Sequence, residues 1–344
     1  MGSKKFGFGI VGTGTISSFH IRALQSMDDA EVITVCDIKE ENAKKTAQEF
    51  NVNWTTDYDE MLKDERIDIV NVTVPSGLHA DLGIKAALAG KHVIVEKPID
   101  IHLEKANALI DTCEENNVTL GVISQLRYYD SVLEMYDIIN SGKLGRIIQG
   151  NAYVKWYRSP EYYRSGQWRG TKALDGGGAF MNQGVHFVDL LLSVMGTVKT
   201  VTAKVKTAAR DIEVEDSGVA MLEFESGALG VIQATTAVYP GLPAQIEILG
   251  TKGTLIFEGE DIKYMEIEGE EPYSKEDSKK DGASDPLDIE VMPYVREFTD
   301  IINAIKEKRE PKVSGREARK ALELILAIYK SSELNKTIEL PLKV

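Results

Sequence analysis

Lys97 and a glycine-rich turn are the residues whose types and positions first indicate chemistry in this chain. The segment Glu96-Lys97-Pro98 follows the apolar run 92–95, and the turn Gly12-Thr13-Gly14 follows another apolar run, 6–11. If both runs are parallel strands, both segments lie at the carboxyl edge of one sheet, where open α/β sheets bind ligands. The proline fixes the backbone that directs the lysine and is compatible with a cis bond. The two segments therefore predict a dinucleotide site with an amine beside it.

The glycine-rich turn stands between a predicted strand and a predicted helix, which is the context that makes such a pattern informative. Glycines at 12 and 14 let a pyrophosphate approach the backbone, and the N–H groups at Thr15 and Ile16 can bind it. The third small residue is Ser17, where glycine or alanine is commoner. The alternative is an ordinary strand-to-helix turn.

Two further strand ends complete the predicted cofactor site. Asp37 ends the second strand, where a carboxylate accepts hydrogen bonds from a ribose 2′-hydroxyl and repels a 2′-phosphate. NAD is therefore favoured over NADP, although Lys39 nearby argues for NADP. The third strand ends at Thr73 and Pro75, and His79 follows on the first turn of the next helix. These residues are expected to flank the nicotinamide ribose, with helix capping as the alternative role of His79. The predicted cofactor contacts are Gly12, Gly14, Thr15, Ile16, Asp37, Thr73, Pro75, His79, Glu96 and Lys97.

A predicted helix over 179–194 is mainly apolar but carries three polar side chains on one face. Asn182, His186 and Asp189 are spaced four and three apart and follow the turn Asp175-Gly176-Gly177-Gly178. Burying an amide, an imidazole and a carboxylate costs desolvation free energy, which favours a functional role. The alternative is a structural pair of His186 with Asp189. We predict no metal site, because the five histidines form no H-x-x-x-H pattern and no cysteine pair accompanies them.

Aromatic and arginine residues alternate in the segment 156–169. The aromatic side chains offer flat faces to a sugar ring or a base, and the guanidinium groups offer paired donors to a carboxylate or phosphate. An oligomer contact is an open alternative, because Tyr, Trp and Arg are also common at interfaces. The aromatic and arginine residues are Trp156, Tyr157, Arg158, Tyr162, Tyr163, Arg164, Trp168 and Arg169. The candidate substrate contacts are Arg127, Tyr163, Arg164, Trp168, Arg169, Asn182 and His186.

The elements that must position these residues fall into two halves. Strand-like runs at 6–11, 31–36, 67–74, 92–95 and 119–124 alternate with helical patterns, which predicts a parallel sheet. Later runs at 201–206, 219–224, 228–236, 244–249 and 254–257 follow one another directly, which predicts an antiparallel sheet with one open face. Helices are expected near 292–308 and 315–334, and 266–285 is expected to be a loop or edge hairpin. The fold class is therefore α/β, with a dinucleotide-binding domain at 1–125 and a second α+β domain at 126–344.

Composition excludes several classes of protein. The 344 residues carry a formal net charge of -14, which argues against a nucleic-acid partner. No apolar run is long enough to cross a bilayer, so no membrane partner is expected. Only two cysteines occur, Cys36 and Cys113, so no disulfide framework is implied and a cytoplasmic location fits.

The motifs together resemble the Gfo/Idh/MocA family, named for glucose-fructose oxidoreductase and inositol dehydrogenase. The resemblance rests on Gly12-x-Gly14, Glu96-Lys97-Pro98 and the glycine-rich turn before His186. It implies a Rossmann domain followed by a domain with an open sheet, with Lys97 and His186 facing the substrate across the nicotinamide. It also implies packing of that sheet into a homodimer or homotetramer. The tract 162–183 is similar to the branch that contains UDP-N-acetylglucosaminuronate 3-dehydrogenases.

One position departs from the family pattern. Many inositol dehydrogenases have an aspartate four residues before the active-site histidine, whereas this chain has Asn182. An amide does not raise the imidazole pKa as a carboxylate does, so the division of labour between His186 and Lys97 stays open. The resemblance implies an NAD-dependent oxidoreductase that acts on a secondary alcohol of a sugar, with an anionic or nucleotide-linked sugar preferred. The alternatives are a free inositol or aldose, NAD-assisted glycoside cleavage, and a non-catalytic NAD-sensing regulator.

Overall fold

The structure, a computed structural model, describes residues 5–275 and 290–343. Its internal contacts divide the chain into two compact units. The first unit holds the described residues up to Gln125 together with Glu290–Arg319, and the second holds the described residues of 126–289 and 320–344. The segment Glu290–Arg319 therefore belongs to the first unit, whereas the sequence predicts it in the second domain.

The first unit is built on a parallel sheet of six strands in the order β3-β2-β1-β4-β5-β6. The strands are β1 (Phe6–Val11), β2 (Ala30–Cys36), β3 (Asn53–Thr55), β4 (Ile69–Val72), β5 (His92–Val95) and β6 (Leu120–Val122). The helices between them are α1 (Thr15–Gln25), α2 (Glu40–Phe50), α3 (Tyr58–Leu62), α4 (His79–Leu88) and α5 (Leu103–Glu115). The strand order reverses between β1 and β4, which is the point where doubly wound sheets bind ligands.

The second unit contains a mixed sheet of nine strands in the order β14-β13-β12-β11-β7-β10-β9-β8-β15. The strands are β7 (Ile147–Lys155), β8 (Val198–Lys206), β9 (Ser217–Phe224), β10 (Leu229–Thr235), β11 (Gln245–Gly250), β12 (Gly253–Glu258), β13 (Asp261–Ile267), β14 (Tyr273–Ser274) and β15 (Ile338–Glu339). Three helices precede β8: α6 (Asp130–Asn140), α7 (Pro160–Arg164) and α8 (Val185–Met195). A π-helical segment, Ala179–Gly184, leads into α8, and we call it the π turn. All neighbouring strands are antiparallel except β7 and β10, so the predicted fold class is confirmed.

Two helices close the described chain, α9 (Met292–Glu307) and α10 (Gly315–Leu334). Helix α9 belongs to the first unit, where Tyr294 and Phe298 are buried against His20 at ring distances of 5.0 and 5.4 Å. The backbone N–H of Ser124 donates to the buried carboxylate of Glu297 at 2.7 Å. The core of the first unit therefore includes side chains that lie about 170 positions beyond its sheet.

The nine-stranded sheet has one face that is exposed within this chain and that carries large apolar side chains. Val219, Met221 and Leu229 are 50 %, 59 % and 51 % exposed, whereas their neighbours Ala220 and Leu222 are buried. This alternation matches the predicted one-faced sheet. Of the segment 266–285, β13 and β14 form an antiparallel pair up to Ser274, and residues 276–289 lie outside the described residues.

In the described ranges, no helix combines the length and the apolar character that crossing a membrane requires.

Candidate active site

The glycine-rich turn after β1 uses its two glycines differently. Gly12 has a φ of +92°, and a Cβ there would lie 2.7 Å from the carbonyl oxygen of Thr73. Gly14 has an ordinary φ of -74°, and an added Cβ would meet no described atom within 4 Å. Gly12 is therefore required by the fold, whereas Gly14 leaves space in front of α1. That space, together with the exposed or partly exposed Thr15 and Ile16, fits the phosphates of a dinucleotide.

The carboxylate of Asp37 reaches the same turn from the end of β2. One oxygen accepts from the backbone N–H and the hydroxyl of Thr13 at 2.9 and 2.8 Å, and the other accepts from the N–H of Lys39 at 2.8 Å. A carboxylate has about four lone-pair sites, so acceptor capacity remains for a ribose hydroxyl. Thr73 uses its hydroxyl inside the protein, where it donates to the carbonyl of Gly12 at 2.7 Å. Thr73 therefore secures the turn with its side chain.

We expect Asp37→Ala to narrow the difference between NAD and NADP affinity. The variant loses an acceptor for the ribose and a charge that repels a 2′-phosphate, so NAD should bind about 10-fold more weakly and NADP should gain. Fluorescence titration of both cofactors measures the two dissociation constants. Asp59→Ala is the control, because that carboxylate is 68 % exposed and pairs with Lys85. Equal affinities of the parent protein for NAD and NADP would contradict the assignment.

Glu96 is directed away from the turn that carries Lys97 and into the core. Its carboxylate accepts from His20 Nε2 at 2.9 Å and from the backbone N–H of Lys97 at 3.1 Å, and it is 6 % exposed. Asn71 Nδ2 donates to His20 Nδ1 at 2.8 Å, which assigns the ring proton to Nε2. Asn71, His20 and Glu96 thus form a buried chain of hydrogen bonds behind the half-buried Lys97. The side chain of Glu96, which the sequence predicts as a cofactor contact, is thus directed to His20 and to the backbone of Lys97.

His79 also contacts the turn that carries Lys97. Its Nδ1 lies 2.7 Å from the carbonyl of Pro98, and its Nε2 lies 2.9 Å from the carbonyl of Val74. Burial lowers the pKa of His79 although the two carbonyls oppose this, so the ring is neutral and donates to one of them. The ring is 1 % exposed, and its two nitrogens lie against the carbonyls of Pro98, in the cis Lys97–Pro98 turn, and of Val74. Pro75 remains partly exposed at the end of the loop after β4.

In the second unit, Glu215 holds the start of the π turn that leads to His186. Its carboxylate accepts from the backbone N–H groups of Gly178 and Phe180 at 3.0 and 2.8 Å and from the hydroxyl of Tyr329 at 2.9 Å. Burial raises the pKa of Glu215, and it raises the pKa of the Tyr329 hydroxyl as well. The carboxylate thereby satisfies two backbone N–H groups at the helix start, where N–H groups lack an intrahelical partner. The position of the helix that carries His186 is therefore fixed by a buried acid.

Asn182 and Gln183 of the π turn belong to a chain of hydrogen bonds. Arg158 Nε donates to Gln183 Oε1 at 2.8 Å, and Gln183 Nε2 donates to the Tyr162 hydroxyl at 2.9 Å and to Asn182 Oδ1. Asn182 Nδ2 donates in turn to the buried carboxylate of Asp175. These hydrogen bonds fix the orientation of the Asn182 amide. Position 182 itself has no carboxylate, but the carboxylate of Asp175 accepts a hydrogen bond from this amide.

Asp189 does not share the environment of Asn182 and His186. Both of its oxygens accept from Arg127, from Nε at 2.7 Å and from Nη2 at 2.6 Å, and the carboxylate is buried. Asn182 and His186 are partly exposed. The predicted polar face therefore separates into two parts, and the guanidinium proposed as a substrate anchor at Arg127 is engaged by Asp189.

The arginines of the segment 156–169 differ in environment. Arg158 is 3 % exposed and stacks on Trp156 and Tyr162, whereas the side chain of Arg164 is 71 % exposed and pairs with Glu161. The guanidinium of Arg169 lies 4.2 and 4.9 Å from the ring centres of Tyr162 and Trp168. The stacked aromatic and guanidinium faces thus form one cluster within the second unit.

Tyr163 extends this cluster toward β10. Its hydroxyl lies 2.8 Å from the hydroxyl of Thr236. Burial raises the pKa of Tyr163 to about 12, so the phenol remains protonated at neutral pH. Tyr163 can therefore donate or accept a hydrogen bond, but it supplies no charge.

Sequence reasoning missed the buried polar residues behind the site. Asp100 accepts from the backbone N–H groups of Ala80, Ile101 and His102, and His20, Glu215 and Asp175 act as described above. The short spacings of Asp100 from Pro98 and of Asp175 from Asn182 could have indicated the roles of these two acids, whereas the partners of His20 and Glu215 are distant in sequence. Across the described ranges, no group of three His, Cys, Asp or Glu side chains could hold a metal ion.

Comparisons with known proteins match both units. Residues 6–124 match the model of the oxidoreductase family with an NAD-binding Rossmann fold, and residues 132–256 match the GFO/IDH/MocA C-terminal domain. The WlbA dehydrogenase from Bordetella pertussis, solved with NADH and UDP-GlcNAcA, is 36 % identical with a TM-score of 0.88, covering 99 % of this chain and 100 % of that one. WlbA from Chromobacterium violaceum, solved with the same two ligands, is 34 % identical with a TM-score of 0.89, covering 100 % and 98 %.

A curated relative that is named for a different substrate also matches this chain. Myo-inositol 2-dehydrogenase from Thermotoga maritima is 25 % identical over 344 residues, covering 96 % of this chain and 98 % of that protein. The family model that matches residues 6–124 describes an NAD-binding Rossmann fold, and the glycine-rich turn and the strand order fit such a fold, so the cofactor is NAD. The chain belongs to the Gfo/Idh/MocA family and is an NAD-binding oxidoreductase that acts on CH–OH groups.

Proposed function

We propose that this oxidoreductase acts on a secondary alcohol of an anionic or nucleotide-linked sugar. The observation that carries the proposal is the arginine and aromatic cluster of the second unit, which is joined by hydrogen bonds to the π turn before His186. Flat rings suit a sugar or a base, and guanidinium groups suit a carboxylate or phosphate. The likeness to two structures that contain UDP-GlcNAcA supports the same substrate class.

The proposed chemistry needs one proton acceptor and one cation. NAD, when bound by the glycine-rich turn and Asp37, supplies the hydride acceptor. We assign the proton acceptor to His186, because an imidazole is the side chain most often used as a general base near neutral pH. Lys97 donates hydrogen bonds to the hydroxyl oxygen and stabilises the negative charge that develops on it.

The residues behind each group keep it in place. Glu96, held by His20, fixes the backbone N–H of Lys97, and Glu215 fixes the start of the helix with His186. Such supporting contacts reduce the reorganisation that the reaction would otherwise require.

A substrate panel tests the proposal. NAD-loaded protein is screened by thermal shift against inositols, aldoses, uronic acids and UDP-sugars, and each stabilising compound is then assayed at 340 nm with NAD. We expect the largest shift and measurable NADH formation with UDP-sugars or uronic acids. Turnover confined to inositols or neutral aldoses would favour the substrate class of the Thermotoga maritima relative. Flat absorbance across the whole panel would favour an NAD-sensing regulator.

We also propose that the exposed sheet face packs against a second copy of the chain. Met221 and Leu229 lie on this face in the neighbouring strands β9 and β10, and each is more than half exposed. Covering apolar surface stabilises by about 25 cal/mol per Å², so such a face favours a homodimer or homotetramer.

Light scattering should therefore give a mass that is a multiple of 38.0 kDa at micromolar concentration. Met221→Glu should shift the mass toward 38.0 kDa, because a carboxylate cannot be buried there without a partner. Leu88→Glu, which changes a 65 % exposed side chain on α4, is the control and should keep the parental mass. A parent protein that contains only the 38.0 kDa species would contradict the assembly.

A further inference from the structure

The sequence predicts no role for Arg210. In the structure, its guanidinium lies next to the cluster around Arg158. Its Nε donates to the carbonyl oxygen of Arg158 at 2.9 Å, and its guanidinium carbon lies 5.1 Å from the ring centre of Tyr157. Its Nη2 is buried and has no hydrogen-bond partner among the described residues. A buried charged donor without an acceptor costs free energy, and an anionic oxygen would remove that cost.

The backbone of the loop that carries Arg210 is held by one buried carboxylate. The backbone N–H groups of Ala208, Ala209 and Arg210 all donate to the carboxylate of Asp216, at 2.8, 2.7 and 2.8 Å. Asp216 is fully buried. The carboxylate of Asp216 therefore interacts with the backbone of the loop. These hydrogen bonds fix the position of the backbone from which the Arg210 side chain extends.

Arg169 is a second cation in this region whose donors remain available. Its guanidinium stacks on Tyr162 and Trp168, and among the described residues it makes no hydrogen bond or ion pair. Stacking uses the face of the guanidinium and leaves its in-plane N–H groups for an oxyanion.

The segments that carry the two arginines are joined, and the acids near them have other partners. The N–H of Glu213 donates to the carbonyl of Gly170 at 3.0 Å, which ties residues 169–171 to residues 210–213. The carboxylate of Glu213 accepts from the N–H of Lys172, and that of Asp175 accepts from the N–H of Gly170. These two carboxylates therefore accept from backbone N–H groups of the same two joined segments.

We propose that Arg169 and Arg210 bind an oxyanion of the sugar substrate, either the diphosphate of a nucleotide sugar or the carboxylate of a uronic acid. Both groups present planar or clustered oxygens that guanidinium donors match, and both satisfy the buried Nη2 of Arg210. This inference rests on the proposed function and names the residues that select for charge.

Calorimetric titration of NAD-loaded protein tests the inference with UDP, glucuronate and UDP-glucuronate as probes. Arg210→Gln should weaken the probe that carries the recognised oxyanion by about 10- to 100-fold, because it removes charge-assisted hydrogen bonds. Weakening of UDP alone identifies the diphosphate as the ligand group, and weakening of glucuronate alone identifies the carboxylate. The melting temperature of the free variant is measured alongside to show that the fold is retained, because the substitution also removes the hydrogen bond from Nε to the carbonyl oxygen of Arg158 and the contact with Tyr157.

Arg146→Gln is the matched control, since that arginine is exposed in the same unit and outside the cluster. It should bind all three probes as the parent does. Arg210→Lys should recover part of the affinity, because it keeps the charge and loses the planar donors. Unchanged binding of every probe by Arg210→Gln would overturn the proposal, as would an equal loss with neutral sugars.

Turnover measurements separate this inference from the proposed function. If UDP or glucuronate binds in an Arg210-dependent way while no sugar is oxidised, the oxyanion site stands and the proposed activity fails. If sugars are oxidised with equal kcat/KM by the parent and Arg210→Gln, the activity stands and the oxyanion site is overturned.

Discussion

Replacing Lys97 with methionine is expected to lower turnover by about 10²- to 10³-fold, the usual cost of removing one group that stabilises developing negative charge. Methionine keeps the length and apolar stem of the side chain, so the half-buried site stays filled. NAD affinity should change little, because the phosphates and the ribose are assigned to the glycine-rich turn and Asp37. Initial rates at 340 nm and fluorescence titration of NAD measure the two quantities separately.

Lys85→Met is the control for Lys97→Met. Lys85 lies on α4 of the same unit, is 54 % exposed and pairs with Asp59, so its loss should leave turnover near the parental value. Near-parental turnover of Lys97→Met would remove Lys97 from the reaction.

His186→Ala is expected to lower turnover by about 10²- to 10⁴-fold, as loss of a general base typically does. A base works only in its neutral form, so the rate of the parent enzyme should fall at acidic pH as the imidazole becomes protonated. The residual rate of the variant should lack this acid limb. A pH-rate profile of kcat/KM for both proteins provides the measurement.

His102→Ala serves as the control, because that imidazole is exposed at the start of α5. Its profile should match that of the parent. If His186→Ala keeps near-parental turnover, the proton acceptor would be Lys97. If Lys97→Met also keeps it, neither residue carries the chemistry.

The first unit was predictable because its signals are local. Each strand of the parallel sheet that the sequence analysis names appears within a few residues of its predicted bounds, since buried parallel strands are continuous apolar runs. The short strand β3 and the central strand β7 were not predicted. β7 carries Gly150 and Asn151 in its middle and has no regular alternation of buried and exposed residues, so its sequence does not show the period of a one-faced strand.

The candidate site was predictable only in part, for a different reason. Residues that end strands or follow glycines could be placed at the edge of the sheet from the sequence, because their position in the sequence fixes their position on the sheet. Glu96 and His79 were assigned to the cofactor on the same grounds, but their side chains are directed to His20 and to the carbonyl of Pro98. His20 is 76 positions from Glu96, and Arg127 is 62 positions from Asp189. No local pattern encodes such pairs.

The first unit is not synthesised as one continuous segment, because Glu290–Arg319 belongs to it. The NAD-binding sheet ends at β6, but Tyr294 and Phe298 fill its core, and each buried aromatic side chain contributes about 1.5–3 kcal/mol. The N–H of Val122 on β6 also donates to the carbonyl of Val313 at 3.0 Å. On a ribosome adding about 5–20 residues per second, the 194 residues from 125 to 319 take roughly 10 to 40 s. During that interval the nascent sheet has its apolar surface uncovered, so the cofactor-binding unit is completed after most of the second unit has been translated.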